Sequence, residues 1–369
     1  MSKLNLIYSG SVKDIYQSTE NNHLFFEFSD RYSVFDWGQM PDLIEGKGEA
    51  LAFMGKFFFD YLSKSSTFKN IQKPEALSDT NWEKMLSTSA MKRLEAKGMK
   101  SHFISQDKNR LEVLAVQVLR PSFEIQNDTK KWKYDYTSAT TDALVPLEVI
   151  FRFGMPNGSS LVKRLEKNYL DEIGLEKQPK ENTLFENVVI EFSTKLEPVD
   201  RYLTYTEAKS IAGLNEAEFS DLINTTKLLA VALQNLFAQL EIDLWDGKFE
   251  FAFGKSREFI LVDSIGIDEL RLISRGKHLS KEFLRQYYRD SSWYKASEEA
   301  KKAAAKNPRL DWKQYCVNEL GEKPQKLDSV HYQKAKDLYC SLCNEIALSL
   351  EQRPPFKDVT AFDLFLKNF

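Results

Sequence analysis

Apolar residues alternate with polar ones in some stretches of this chain and recur at helical spacing in others. Residues 4–9, 12–17 and 24–28 alternate, with turns at Gly10-Ser11 and Glu20-Asn21-Asn22, so the chain opens as an antiparallel meander. Leu51, Met54, Phe58, Tyr61 and Leu62 then repeat at helical spacing and predict an amphipathic helix over 48–63. Residues 64–110 are polar and Lys-rich, with weak helical signals around 82–97, and read as a peripheral insertion. Strands return at 111–119 and 144–153, with a ribbon at 123–136 between them and a further strand at 188–194. The strongest helix is expected at 216–240: Asn215 suits its N-cap and Glu218 completes a capping box, while Phe219, Leu222, Ile223, Leu229, Leu233, Leu236 and Leu240 share one face. Helical segments follow at 280–306, stopped by Asn307-Pro308, and at 328–352. Strands and helices alternate irregularly and no internal repeat is present, so the fold class is α+β.

The most informative stretch lies between the second and third of those helices. Phe249, Phe251 and Phe253 alternate with Lys248, Glu250 and Ala252, and Phe259, Leu261 and Asp263 share one side of the run that follows. With Gly254-Lys255-Ser256-Arg257 as the hairpin loop, Glu250 faces Leu261 and Lys248 faces Asp263. Glu250 and Asp263 are then same-face diagonal neighbours, roughly 7–8 Å apart. Two carboxylates so spaced suit one Mg²⁺, which takes few protein carboxylates and completes its shell with water and phosphate oxygens. A surface hairpin with solvated charges has the same pattern, so spacing alone leaves both readings open.

Composition narrows the class. The chain has 369 residues, room for two domains, and its 51 basic and 54 acidic residues leave a net charge of −3. No bulk field favours nucleic acid or a membrane surface, so any anion site must be local. A hydrophobic share of 42% argues for a folded globular protein. No apolar run is long enough to span a membrane, and Met1-Ser2-Lys3-Leu4-Asn5 does not begin a secretory signal, which makes a cytoplasmic location the expectation. Cys340 and Cys343 form a C-x-x-C without the further ligands a zinc site needs. His23, His102, His278 and His331 are scattered, and none is paired in sequence with a nucleophile for a hydrolytic triad.

Two loops are candidates for phosphate. Gly10-Ser11-Val12-Lys13 joins two strands, where a glycine admits close approach of an anion and Lys13 brings a countercharge; an ordinary hairpin turn has the same composition. Arg152, the Gly158-Ser159-Ser160 turn at the start of a helix holding Lys163 and Arg164, and Arg271 form the second, since guanidinium groups clamp phosphate and a helix start offers free N–H donors. Lys195 and Asp200 add charge next to apolar strand residues.

Taken in order, these segments resemble the SAICAR synthetases (phosphoribosylaminoimidazole-succinocarboxamide synthases) of purine biosynthesis, over about residues 6–64 and 144–290. Gly10-Ser11-Val12-Lys13 with Tyr16 is similar to the family's opening loop. Ser29-Asp30-Arg31-Tyr32-Ser33-Val34-Phe35-Asp36 and Ile44-Glu45-Gly46-Lys47-Gly48 resemble the two signatures that follow. Val145-Pro146-Leu147-Glu148 leading to Arg152, then Gly158-Ser159-Ser160-Leu161-Val162-Lys163-Arg164-Leu165, resembles the ribotide-binding stretch. Glu191-Phe192-Ser193-Thr194-Lys195 resembles the segment that gives a lysine to the nucleotide. Lys248 and Glu250 match the hairpin Asp-Phe-Lys-x-Glu-Phe-Gly, with Asp263, Asp268 and Arg271 at the spacing that follows it. There are departures: Ser11 replaces a lysine, the Arg152-to-Ser160 loop is longer so that Ser159 and Ser160 are not separated by spacing, and Ser264 and Ile267 stand where many members have Glu and Pro.

The resemblance implies an ATP-dependent ligase that joins L-aspartate to carboxyaminoimidazole ribotide (CAIR) through an acyl phosphate, giving SAICAR, ADP and phosphate. ATP and Mg²⁺ would be its cofactors, the small molecules its only partners, and a homodimer one assembly, since bacterial members often pair. It implies a small N-terminal antiparallel sheet domain, kinase-like or ATP-grasp-like, plus a larger α+β domain, with an ATP cleft between them. The division expected here is 1–147, including the 64–110 insertion, and 148–369, with the metal and ribotide site and a helical C-terminal extension. By the same resemblance Lys248, Asp200 and Lys195 are catalytic. Gly10, Ser11, Val12, Lys13, Lys195 and Glu250 bind ATP, and Arg152, Ser159, Ser160, Asp268 and Arg271 bind the ribotide. Ser33 and Asp36 bind aspartate, and Glu250 and Asp263 hold the metal. A ligase of the same fold acting on another carboxylate or amine, and a nucleotide-binding protein without turnover, are the alternatives.

Overall fold

The computed structural model describes residues 4–126, 129–307 and 310–369, so the expected stop at Pro308, the expected reading of Met1–Lys3 and the tip of the 123–136 ribbon lie outside the described residues. The chain opens with strands β1 (Leu4–Ser9), β2 (Lys13–Ser18) and β3 (His23–Phe28). Helices α1 (Lys47–Ser63), α2 (Ser65–Lys69), α3 (Asp79–Leu86) and α4 (Ser89–Lys97) follow, then β4 (Phe103–Asp107), β5 (Arg110–Leu114), β6 (Ser122–Gln126), β7 (Thr129–Lys133) and β8 (Leu144–Met155). A 3₁₀ turn at Ser160–Lys163 leads to α5 (Lys167–Glu172), β9 (Thr183–Thr194), β10 (Tyr202–Leu203), α6 (Tyr205–Ala212) and α7 (Glu216–Ala238). Strands β11 (Asp243–Phe253), β12 (Phe259–Val262), β13 (Leu270–Ser274) and β14 (Lys277–His278) precede helices α8 (Lys281–Arg289), α9 (Ser292–Lys306), α10 (Trp312–Asn318), α11 (Ser329–Ser349) and α12 (Phe362–Asn368).

These elements form two compact units, each discontinuous in sequence. Residues up to Lys56, Ser105–Val113 and Ile273–Phe369 make one, and Phe57–Ile104 with Leu114–Leu272 the other. This differs from the division expected at residue 147, which falls inside β8, a strand paired to β9 on both sides of that point. The 64–110 segment is not peripheral either. Strands β4 and β5 complete a five-stranded sheet in the order β1-β2-β3-β5-β4, and Phe28 at the end of β3 exchanges hydrogen bonds with Asn109 just before β5.

In the first unit the turn between β1 and β2 is closed by the Gly10 N–H donating to Lys13 O at 2.9 Å. Tyr32 and Tyr288 share a buried hydroxyl pair at 2.8 Å. Strand β14 pairs back on the end of β13 at Ile273 and Ser274. Cys340 and Cys343 of α11 are buried free thiols, and burial pushes the Cys340 pKa up to about 12 and that of Cys343 well above its ordinary value.

The second unit is built on α7. Its capping box forms as the sequence predicts, with Asn215 accepting from the Glu218 N–H and Glu218 accepting in return. The helix is buried on more than its expected face, because Leu228, Val231 and Phe237 are enclosed as well and α2, α3 and α4 pack alongside it. On its other side α7 lies across β8, β9 and β11 of an antiparallel sheet ordered β10-β9-β8-β11-β13, with β12 on the far end of β11. No helix among the described residues is long and apolar enough to cross a membrane. Asn215→Ala should lower stability by about 1 kcal/mol, the usual value of an N-cap side chain, with the native spectrum unchanged; urea unfolding followed by circular dichroism measures it.

Candidate functional site

Strand register places the site. On one face of β8, β9 and β11, Asp246 lies opposite Arg152, Lys248 opposite Ile150, which faces Glu191 in turn, and Glu250 opposite Glu148, which faces Ser193. The alternate positions, Phe249, Phe151, Val149 and Phe192, point the other way, and Phe192 meets Phe219 of α7. Period-2 alternation thus gives three neighbouring strands one greasy and one charged face. The charged face is enclosed too: Glu191 is 0% exposed, Arg152 3% and Glu250 4%. Charges so deeply buried are costly unless paired, and here they are sorted into two clusters.

The first cluster is a square of alternating charge. Lys195, just beyond the end of β9, holds Glu250 Oε1 at 2.6 Å, and Lys248 holds Glu148 Oε1. Each lysine stands 3.9 Å from the other's carboxylate. Ser193 Oγ donates to the second oxygen of Glu148 at 3.2 Å. Burial, and then the neighbouring Asp263, push the Glu250 pKa up to about 7. Burial works against both ammonium groups. The surrounding carboxylates outweigh it, Glu250, Asp263 and Glu148 around Lys195 and Glu250 with Glu148 around Lys248, and hold both lysines above their ordinary range. At neutral pH these lysines are therefore fixed cations rather than bases.

The hairpin brings Asp263 to this cluster by a register one residue from the expected one. Glu250 pairs with Val262 and Phe253 with Phe259, so Lys248 does not face Asp263; its N–H bonds Glu269 O at 3.2 Å instead. Glu258 explains the slip. Its carboxylate accepts from the Ser256 N–H at 3.0 Å and from Lys100 at 2.9 Å, which keeps it in the loop and lets Phe259 take the place opposite Phe253. Asp263 follows the end of β12 with φ +63°, a left-handed conformation, and its carbonyl is bonded by His102 Nε2 at 2.9 Å. Strand alternation therefore does not set the direction of its carboxylate, and the diagonal relation expected from an ideal ladder is replaced by this local turn.

The second cluster is built around arginine. Arg152 Nε is paired with Glu191, Nη1 lies 3.1 Å from Asp246 Oδ2 and 3.4 Å from Ser159 Oγ, and Nη2 reaches Ser160 Oγ at 3.1 Å and Tyr202 OH at 3.5 Å. Arg164 pairs with Glu191 at 2.8 Å and donates to Ser160 O at 3.0 Å, while Tyr169 OH donates to Glu191 at 2.6 Å. Glu191 is thus a buried hub; burial opposes its charge, but Arg152 and Arg164 hold its pKa below the ordinary carboxylate range. Arg271 lies on the far side of Asp246, its Nε 3.6 Å from Oδ1, and its buried Nη1 has no hydrogen-bond partner among the described residues. The two serines separate here. Ser159 is 2% exposed and caps the 3₁₀ turn by accepting from the Leu161 N–H, whereas the Ser160 hydroxyl is half-buried beside Tyr202 OH at 3.0 Å.

The remaining expected residues are placed as follows. Asp268 is half-buried in the turn between β12 and β13, and Asp200 is exposed in the loop between β9 and β10. Gly10, Ser11, Val12 and Lys13 form the β1–β2 turn of the first unit, with the Lys13 ammonium 4.6 Å from the Phe26 ring centroid. Ser33 is buried in that unit, and Asp36 is exposed with φ +61°, 3.5 Å from Lys301. Glu148, Glu191, Asp246 and Tyr202 join the clusters without having been expected. Glu148 and Arg152, Glu191 and Lys195, and Asp246, Lys248 and Glu250 are each an even number of residues apart, a signal that they share a face. Only their burial in the folded chain shows that this face is enclosed rather than solvated.

In the metal-free protein, Glu250 sets a pH dependence of stability. Its folded pKa of about 7 is raised above the ordinary 4.5. The linked stability is full below that ordinary value and is lost as pH rises through 7. Glu250→Gln should therefore gain in melting temperature relative to the parent between pH 5 and pH 8; a difference that stays constant across that range would refute the assignment.

Comparison with known proteins now places the chain. The profile of the SAICAR synthetase family matches residues 6–77 and 66–302. A provisionally named phosphoribosylaminoimidazole-succinocarboxamide synthase of Archaeoglobus fulgidus is 33% identical over 344 residues, 91% of this chain and 93% of that protein. Among solved structures, the SAICAR synthase of Saccharomyces cerevisiae complexed with SAICAR has a TM-score of 0.53 at 21% identity, covering 96% of this chain and 97% of that one. A type-2 SAICAR synthetase in complex with ADP has a TM-score of 0.50 at 21% identity, covering 88% and 100%. The fold is that of these enzymes, and the profile match with the level of identity over nearly the whole chain shows that it belongs to the SAICAR synthetase family.

Proposed function

We propose that the chain joins L-aspartate to CAIR at the expense of ATP, giving SAICAR, ADP and phosphate, as a cytoplasmic step of purine biosynthesis. Family membership supports the reading, as do the SAICAR and ADP carried by two proteins of the same fold. The observation that carries it is the buried charged face of β8, β9 and β11, where a square of fixed charge adjoins an arginine clamp.

The chemistry asks for such a face. A carboxylate is a poor electrophile, so one of its oxygens takes the terminal phosphoryl group of ATP, releasing ADP. The aspartate amine then attacks the acyl carbon and phosphate leaves. Each step moves negative charge, and preorganised cations lower its cost without a protein nucleophile. Lys195 and Lys248, held protonated by Glu250 and Glu148, supply such cations. Arg271, whose buried Nη1 lacks a hydrogen-bond partner among the described residues, and Ser160 seat the ribotide phosphate, while Arg152 frames them. Asp268 belongs to the ribotide region, Ser33 and Asp36 to the aspartate, Gly10–Lys13 to the ATP phosphates, and Asp200 to the acceptor region.

The donor set also fits Mg²⁺. Glu250 and Asp263 are neighbouring carboxylates in a buried setting that raises the Glu250 pKa, a mutual repulsion that a bound cation relieves. Mg²⁺ takes few protein carboxylates and completes its shell with phosphate and water oxygens, so two carboxylates are enough protein ligands for it. When bound, Mg²⁺ would neutralise charge on the transferred phosphoryl group.

Purified protein given ATP, Mg²⁺, aspartate and CAIR should form the succinocarboxamide in step with ADP. ADP release only with a different acid would favour the alternative ligase, and nucleotide binding without turnover would remove the catalytic reading. Asp263→Asn should abolish turnover while leaving the circular dichroism spectrum native; activity retained at ordinary magnesium would take Asp263 off the ligand set.

A further inference from the structure

We infer that Asp246 is the positioning residue of the phosphate seat, holding Arg271 by one nitrogen so that another is presented to the ribotide; this rests on the ribotide-binding reading proposed above. β8, β11 and β13 lie side by side, and they carry Arg152, Asp246 and Arg271 in that order. The carboxylate between the two guanidinium groups uses one oxygen for each, Oδ2 at 3.1 Å from Arg152 Nη1 and Oδ1 at 3.6 Å from Arg271 Nε. Without that carboxylate, two largely buried cations on the strands either side of β11 would repel each other with no counter-charge between them.

The two arginines are not equivalent. All three nitrogens of Arg152 are committed to Glu191, Asp246, Ser159, Ser160 and Tyr202. Arg271 lies within ion-pair distance of Asp246 at Nε, while its buried Nη1 has no hydrogen-bond partner among the described residues. A buried charged donor left without a partner costs more than the bond it would make, and an incoming phosphate oxygen removes that cost. Asp246 is itself a poor ligand for phosphate, because it carries the same sign of charge. Its two effects on the ribotide oppose each other: repulsion weakens binding, and orientation of Arg271 strengthens it. The geometry points to orientation as the larger, since Asp246 is only 9% exposed and already neutralised by Arg152.

The sign of one measurement decides. CAIR binding by calorimetry to the full-length parent, Asp246→Asn, Arg271→Lys and the double variant should show about a tenfold loss for Asp246→Asn, equivalent to roughly 1.4 kcal/mol. A lysine has no second nitrogen to present, so adding Asp246→Asn to Arg271→Lys should cost nothing further. In steady state Asp246→Asn should raise KM for CAIR while kcat and KM for ATP change by less than about twofold. Equal or tighter CAIR binding by Asp246→Asn, or an undiminished loss in the Arg271→Lys background, would overturn the role of Asp246 and leave the ribotide reading standing. Failure of the parent protein to bind CAIR at all would overturn that reading and this inference with it. Should Asp246→Asn not fold, Asp246→Glu keeps the charge, displaces the carboxylate and is judged by the same CAIR measurement.

Discussion

Opposed charges buried on one sheet face are the constraint around which the second unit is arranged. Glu148, Glu191, Asp246 and Glu250 stand on three adjacent strands, enclosed almost completely, and each has a cation within ion-pair distance. An isolated charge at such depth would neutralise or draw in water. The pairs offset the cost of that burial, and the register that aligns them is fixed by Phe249, Phe151 and Phe192 on the reverse side, because a slip of one residue would drive the phenylalanines into the site and the charges against α7.

The two clusters solve different problems. In the lysine–carboxylate square every charge has two neighbours of opposite sign, so the ammonium groups are locked in place and in protonation state. In the arginine cluster the carboxylates pair with the guanidinium groups and leave one buried donor, Arg271 Nη1, without a partner among the described residues. One arrangement provides charge at rest, the other an unmet bond. A reaction that moves anionic groups between bound small molecules has a use for both.

Local backbone conformation places what the strands cannot. Asp263 is left-handed, as are Phe35 and Asp36 in the first unit, where Phe35 packs on Tyr294 at 4.5 Å between ring centroids. Non-glycine residues rarely hold that conformation unless their surroundings fix it. All three lie in segments that resemble family signatures.

Much of this was legible in the sequence. The meander, the capped helix α7 and the alternation of β11 follow from residue type and spacing, which act through the nearest few residues. Lys195, Lys248, Glu250, Arg152 and Arg271 could be named because their motifs are local. Glu148, Glu191 and Asp246 could not be given roles, since an alternating charge reads the same whether its face meets water or protein. The hairpin register turned on Glu258 bonding within its own loop, and the regrouping of β4 and β5 with the N-terminal sheet turned on a partner strand far away in sequence. Sequence determined which side chains alternate; only the tertiary structure decided which alternating face is buried, because burial depends on what packs across the sheet and not on the strand itself.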